Sequence, residues 1–448
     1  MKILFISLGC DKNLVDSEKM LGKLSSIGYE VTDDETCADV IVINTCCFIL
    51  DAKQESIDTI LEMAEYKKSG SLKALIVTGC LSQRYGDEIL SEIPEVDAVL
   101  GTKADSQLIH VLDEIIKNGN TKLSVIPDVN GSLVVSDKRL VTTGGHYAYL
   151  KIAEGCNKRC TYCIIPKIRG NYISVPMDEL VSEAKYLVSD VGVKELILVA
   201  QETTVYGVDL YGKKMLPELL KRLCEIEGLV WIRILYCYPE EVTDELIETI
   251  ASSDKICHYL DIPIQHASDS VLRNMGRRTT QAEIRERIEQ LRKRIPDICL
   301  RTTFISGFPG ETKEDHQILY HFINETEFDR LGVFTYSREE DTPAAVMENQ
   351  IPEEIKEARR DELMELQQAI AFEKAEGRIG QHMLAMIEGK LVDDDVYIAR
   401  TYLDAPNVDG YLFIHTYKEL LSGTFVKVVI TGSNEYDLIG ELEDEYCQ

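Results

Sequence analysis

Glu154-Gly-Cys156-Asn-Lys-Arg-Cys160-Thr-Tyr162-Cys163 sets three thiols in one loop, three and then two residues apart. The run follows an apolar, strand-like segment, Ala148–Ile152, and leads into Ile164-Ile-Pro. Three thiolates this close can grip one face of an iron–sulfur cube. A 4Fe-4S cluster that only carries electrons takes four protein ligands. Three ligands leave one iron open, and an open iron can chelate the amino and carboxylate groups of S-adenosylmethionine (SAM) and reduce its sulfonium. A closed structural zinc site needs four ligands, yet the loop holds no fourth Cys or His, and His146 precedes the strand. Incidental buried thiols fit an apolar element better than this charged, glycine-flanked loop.

Outward from the loop, residues 143–375 repeat strand–helix units. Candidate strands are Ala148–Ile152, Glu195–Gln201, Val230–Tyr236, His258–Ile262, Cys299–Ile305 and Arg330–Tyr336, with amphipathic helices between them. Six such units make an open, partial (β/α) barrel, whose active site belongs at the carboxyl ends of the strands. The cysteine loop follows the first of those strands. Glu353–Glu376 reads as a long charged helix leading out of the barrel.

Residues 1–115 show the same alternation, with strands at Lys2–Leu8, Val40–Asn44, Ala74–Thr78 and Val96–Leu100, which predicts an open parallel sheet. Cys10, Cys46 and Cys80 follow the first three strands in turn. Far apart in sequence, they would meet on one rim of the sheet, where such folds place their functional crevice. Gly9 and Gly79 would let the backbone turn closely beneath a cluster. Cys47 would point away if strand alternation persists, and reads as packing. Residues from about 116 to 142 form a polar connector with turn signals, read as a hairpin-like bridge. Residues 378–448 lose helical periodicity and show five short strands, which suggests a small closed barrel.

Cys-x3-Cys-x2-Cys with an aromatic residue just before the last Cys resembles the radical-SAM superfamily. The longer stretch "YLKIAEGCNKRCTYCIIPKIRG" is similar to its methylthiotransferases, and the likeness covers nearly the whole chain. "SLGCDKNLVDSE", "NTCCF" and "TGCLSQR" match the family's first domain, and the C-terminal segment resembles the TRAM domain. The resemblance implies an α/β chain of three parts. These are an N-terminal open parallel-sheet domain (1–116) with an auxiliary cluster, a central partial (β/α)6 radical-SAM barrel (143–377) after a connector (117–142), and a small all-β TRAM-like barrel (378–448). It implies two 4Fe-4S clusters, one on Cys10, Cys46 and Cys80 and one on Cys156, Cys160 and Cys163. One SAM would yield a radical that abstracts a substrate hydrogen, and a second would supply a methyl group to the inserted sulfur. Tyr162, Gln201, Glu202, Arg301 and Gly307 are the expected SAM contacts. A salt bridge of Arg301 to a neighbouring acid, and a helix-capping role for Glu311, are the competing roles. His266, Trp231, Cys224, Cys237, Cys257, Cys299 and Cys447 read as structural.

Composition narrows the partner. The formal charge is −29, and every segment is acidic: −9 over residues 1–140, −12 over 141–377 and −8 over 378–448. Nucleic-acid binders need basic footprints, so direct RNA binding is not expected and a basic protein partner is favoured. "LVAQETTVYGVDLYG", "ILYCYPEEVTDELI" and "YLDIPIQHASDSVLRNMGRR" look like the family branch that modifies the β-carbon of an aspartate in the twelfth small-subunit ribosomal protein. The branch that modifies an adenosine of tRNA usually carries a Gln-Asn-Val-type run where this chain has Gln-Glu-Thr. It usually carries a Ser-His-Pro-type run where this chain has Tyr-Cys-Tyr-Pro. An electron-transfer iron–sulfur protein, the remaining class, would have closed clusters. No stretch of eighteen apolar residues suggests a membrane span, Met1–Gly9 reads as a strand and not a signal peptide, and thirteen cysteines suit a reducing cytoplasm.

Overall fold

The computed structural model describes residues 1–70, 72–119, 121–131, 139–392 and 395–446. Among the described residues the strands form two open parallel sheets, one closed barrel and a two-stranded antiparallel ribbon, Ala153–Glu154 with Ile173–Ser174. The first sheet has six strands in the order Glu30–Val31, Lys2–Ser7, Val40–Thr45, Ala74–Gly79, Ala98–Leu100 and Leu123–Val125. Val40–Thr45 and Ala74–Gly79 are buried at every position, as central parallel strands must be when helices cover both faces. Helices Asp11–Ser26, Leu50–Lys68, Cys80–Glu92 and Leu108–Asn118 supply that cover.

Two of these strands were not anticipated. Glu30–Val31 is only two residues long and exposed, so it leaves no alternation to read. Leu123–Val125 lies in the segment expected to form a hairpin-like bridge. It instead pairs parallel with Ala98–Leu100, because helix Leu108–Asn118 carries the chain back across the sheet, and a parallel neighbour requires such a crossover.

The second sheet contains Tyr147–Lys151, Glu195–Val199, Trp231–Ile234, Ile256–Asp261, Cys299–Ser306 and Arg330–Thr335, parallel and adjacent in chain order. It is the partial barrel expected from the sequence. Alternate residues face opposite ways. Leu150, Leu198, Ile234, Leu260 and Phe304 join the helical core outside, while Tyr149, Ile197, Trp231, Tyr259 and Cys299 turn inward. Thr280 with Glu283 and Thr312 with Asp315 form capping boxes that start two of the outer helices. Helix Glu353–Glu376 covers the last strand, with Leu363 and Ile370 in the core and Gln367 Nε2 donating to the Phe328 carbonyl at 2.9 Å.

The C-terminal barrel closes through His382–Lys390, Val396–Thr401, Leu412–His415, Asp437–Leu442 and Phe425–Asn434. It seals the amino ends of the central strands. Met386, Ala399, Leu412 and Leu438 share one apolar cluster with Tyr147, Tyr149 and Trp231. Trp231 stands edge-on to Phe425 with centroids 4.7 Å apart. Glu195, fully buried, accepts from Arg233 Nε at 2.8 Å and Arg400 Nη2 at 2.7 Å. The carboxyl ends of the strands, where such barrels place their active sites, lie on the opposite side.

Candidate active site

The first thiol triad is built by one loop. Cys156 and Cys160 are buried and Cys163 is half-buried. The Cys163 N–H closes a turn on the Cys160 carbonyl at 3.1 Å, and Lys158 N lies 3.5 Å from Cys156 Sγ. Tyr238, after the third strand, places its hydroxyl 3.7 Å from Cys160 Sγ. Burial, with Glu202 and Cys160 adding, pushes the Cys156 thiol up to about 11. Burial and the other two cysteines push Cys163 up as well.

The second triad is built by topology. Cys10 caps helix Asp11–Ser26, Cys46 follows Val40–Thr45, and Cys80 opens helix Cys80–Glu92. Gly9 (φ +84°) and Gly79 (φ +94°) are required here. A Cβ on Gly9 would stand 2.6 Å from Cys46 Cβ, and one on Gly79 2.2 Å from Asn44 Oδ1. Asn13 ties the strand ends together, donating through Nδ2 to the Leu8 and Thr45 carbonyls, each at 3.0 Å. Burial, then Cys80 and Cys10, push the Cys46 thiol up to about 12. Cys47 is fully buried in an apolar cluster with Ile60, Met63 and Leu75.

A charged seam joins the two triads. Arg169, shortly after Cys163, donates through Nη1 to Asp16 at 2.8 Å and Glu154 at 3.1 Å. Its Nη2 donates to Asn13 Oδ1 and stands 3.5 Å from Cys80 Sγ. Lys151 Nζ completes the set with bonds to Asp16 and, at 2.8 Å, Glu154. Burial opposes ionisation of Glu154, but Arg169 and Lys151 outweigh it and hold the carboxyl below its usual range. The N-terminal domain reaches the barrel rim at two further points. Lys12 Nζ sits 3.2 Å over the Tyr236 ring, and Arg84 Nη1 donates to Glu339 at 3.1 Å. These contacts, after the first, third and sixth strands, lay the first domain across the carboxyl ends of the barrel.

The expected SAM contacts divide. Gln201 and Glu202 lie at the rim beside the cysteine loop. Gln201 Nε2 donates to Glu154 at 2.8 Å, while its buried Oε1 has no partner. Burial raises Glu202 to about 7 against the pull of Lys158, 3.7 Å away. The Tyr162 ring packs with Met275, Phe308 and Tyr336, and neighbouring Thr161 N bonds the Met275 carbonyl at 2.9 Å. Arg301 needs correction as a SAM partner. It pairs with Asp261 at 2.8 Å and with Asp409 of the C-terminal barrel at 3.5 Å, on the side away from the cysteines. Gly307 stands just past the carboxyl end of Cys299–Ser306, where a Cβ would meet Lys356 Cγ at 2.2 Å, and its N–H donates to Glu311 at 2.7 Å. Glu311 therefore anchors this turn, and Thr312 caps the helix instead. His266 is buried, with Nδ1 accepting from Ser268 N at 2.9 Å. Trp231, Cys237, Cys257 and Cys299 are core and Cys224 is half-buried. Cys447 lies outside the described residues.

Comparison with known proteins matches this architecture domain by domain. The uncharacterized protein family UPF0004 matches residues 2–101, the Radical SAM superfamily 150–323 and the TRAM domain 379–442. The ribosomal protein uS12 methylthiotransferase RimO of Lachnoclostridium phytofermentans is 65% identical over 443 residues, covering 99% of this chain and 100% of that protein. The chain belongs to the RimO family. The RimO of Acetivibrio thermocellus is 50% identical, covering 99% of each chain. A solved structure of the radical SAM methyltransferase TsrM from Kitasatospora setae, with cobalamin and a [4Fe-4S] cluster, shares the fold. Its TM-score is 0.56 at 15% identity, covering 77% of each chain. Among the described residues, no helix is long and apolar enough to cross a membrane.

The donor sets suit the clusters of a RimO-family enzyme. Each triad offers three thiols; the barrel loop holds no fourth Cys or His, and in the N-terminal set Cys47 follows Cys46 directly but is buried in an apolar cluster. Buried thiols such as Cys46 and Cys156, whose pKa burial pushes up, need a cationic centre to ionise. Among the described residues, no three His, Cys, Asp or Glu side chains crowd onto one ion. Cube ligation does not need that, because each thiolate takes a different iron. Reading the sequence missed Arg169, Asn13, Glu154 and Lys12. An arginine inside the apolar run Ile164-Ile-Pro-Lys-Ile-Arg169 was the one available signal.

Proposed function

We propose that this protein replaces a hydrogen on the β-carbon of an aspartate in ribosomal protein uS12 with a methylthio group, with the work divided between two 4Fe-4S sites. The observation that carries this reading is the pair of three-thiol sets facing one seam between the first domain and the carboxyl ends of the barrel. When bound, the barrel cluster would pass one electron from an external reductant to SAM, giving methionine and a 5′-deoxyadenosyl radical; the N-terminal cluster would hold the sulfur, and a second SAM would give the methyl group and leave as S-adenosylhomocysteine. Cys156, Cys160 and Cys163 would hold the first cluster, and Cys10, Cys46 and Cys80 the second. Gln201 and Glu202 would orient SAM at the rim, where the buried Gln201 Oε1 is an acceptor for its ammonium. Tyr162 would line the adenine side through its backbone. The central partial barrel at about 143–377 hosts the radical step, and the domain at 1–116 the sulfur.

Substrate docking falls to the acidic surface. A chain of −29 attracts a basic ribosomal protein by field complementarity and repels a phosphate backbone. The acidic C-terminal barrel would steer uS12 toward the mouth, free or within the ribosome. Anaerobic reconstitution with SAM, a reductant and sulfide, followed by mass spectrometry of uS12 and of tRNA, tests the reading. A methylthio group on a uS12 aspartate with unmodified tRNA is the expected result. Modified tRNA with untouched uS12 would reject it.

A further inference from the structure

Arg169 is 2% exposed and belongs by sequence to the barrel's cysteine loop, yet its free end reaches the other triad. Short helix Ile165–Ile168 places it: the Arg169 N–H donates to the Ile165 carbonyl at 2.8 Å, while Ile164 and Ile168 pack in the same apolar cluster as Cys80. Two carboxylates, half-buried Asp16 and buried Glu154, and two buried cations, Lys151 and Arg169, make a neutral quartet. Buried ion sets contribute little net stability over apolar packing, and the two isoleucines already brace the loop. What the quartet adds is aim. It pins one edge of the guanidinium so that the other edge points at Asn13 and Cys80 Sγ.

We propose that Arg169 is a positioning residue for the N-terminal cluster, donating an N–H to the Cys80 sulfur and holding fixed positive charge beside that ligand. The inference rests on the reading of Cys80 as a cluster ligand. Hydrogen bonds to cluster sulfurs and local charge set reduction potentials. A cation at this distance favours the reduced, more negative cluster and so raises its potential. The effect is selective, because Arg169 touches Cys80 and no thiol of the barrel triad. It also ties the geometry of one site to the other, since Glu154 stands two residues before Cys156 and bonds both Arg169 and Gln201. Lysine cannot reproduce the fork, but keeps the charge.

The test uses the full chain carrying Cys156→Ala, Cys160→Ala and Cys163→Ala, so that only the N-terminal cluster remains. Iron content, the apoprotein melting curve and an anaerobic redox titration read by electron paramagnetic resonance are compared with and without Arg169→Gln and Arg169→Lys. Arg169→Gln should lower the potential by about 59 mV, a tenfold change in a one-electron reduction equilibrium, and Arg169→Lys should recover part of it. Loss of the cluster in Arg169→Gln with retention in Arg169→Lys also supports the proposal, as does loss in both with melting intact. An unchanged potential overturns it, and so does cluster loss accompanied by loss of the melting transition, which would make Arg169 only a brace. A triple-cysteine background that holds no cluster at all would instead remove the reading of Cys10, Cys46 and Cys80, and the inference with it.

Discussion

Cys156, Cys160 and Cys163 are set by a single loop, whereas Cys10, Cys46 and Cys80 are brought together from the ends of three parallel strands. The first triad needs only its own turn and the neighbouring strand. The second needs the whole sheet in register, two glycines at positive φ and the Asn13 side chain to draw the strand ends together. Their surroundings differ as well. The loop triad faces Tyr238 and Lys158, while the sheet triad has the Arg169 guanidinium against one sulfur. A site assembled by topology is therefore open to adjustment from distant residues in a way that a loop motif is not.

The largest break is removal of the loop triad. Cys156→Ala, Cys160→Ala and Cys163→Ala together should halve the iron from about eight to about four per chain and abolish SAM cleavage, measured as 5′-deoxyadenosine. Undiminished iron would contradict the assignment. A break at the far end of the barrel should behave in the opposite manner. Glu195→Ala removes the carboxylate shared by two arginines, leaving Arg233 with the Thr401 and Tyr402 carbonyls and Arg400 with Glu388, and should cost about 3 kcal/mol in urea unfolding, with iron content unchanged under native conditions.

A smaller and more local contrast separates Cys46 from Cys47. Cys46→Ala should lose the N-terminal cluster, while Cys47→Ala should keep it and cost about 1 kcal/mol of packing. The reverse outcome would place the strand register one residue off. The smallest effect concerns docking. Reversing Asp393, Asp394 and Asp395 to Lys should slow uS12 modification a few-fold at low salt, and the defect should shrink as salt screens the attraction. Asp393 and Asp394 lie outside the described residues. A salt-independent rate in both proteins would show that this acidic run does not steer the substrate.

Elements with strong periodicity were legible before any coordinates. Glu353–Glu376 was read with the bounds the structure gives it, and the six central strands were found within a residue or two. The loop triad was visible from its spacing alone, and the sheet triad because its cysteines share one position in a repeating strand–helix unit. Arg301 was misread because its partner Asp409 comes from an element far along the chain, and a location in a strand alone cannot say which neighbour arrives. Leu123–Val125 was hidden among turn residues, where pairing with Ala98–Leu100 overrides weak local preference. For the ion quartet around Arg169 the sequence offers only the arginine after an apolar run, since Asp16 belongs to the first domain and the other three members to the barrel.

Division of labour between the triads is the central claim, and one reaction tests it most directly. The variant Cys10→Ala, Cys46→Ala, Cys80→Ala is reconstituted anaerobically and given SAM, reductant, sulfide and uS12, with 5′-deoxyadenosine and methylthiolated uS12 measured in the same tube. The account predicts that 5′-deoxyadenosine still forms while no methylthio group reaches the aspartate. Methylthiolated uS12 from this variant, or no 5′-deoxyadenosine from a variant that retains its barrel cluster, would contradict it.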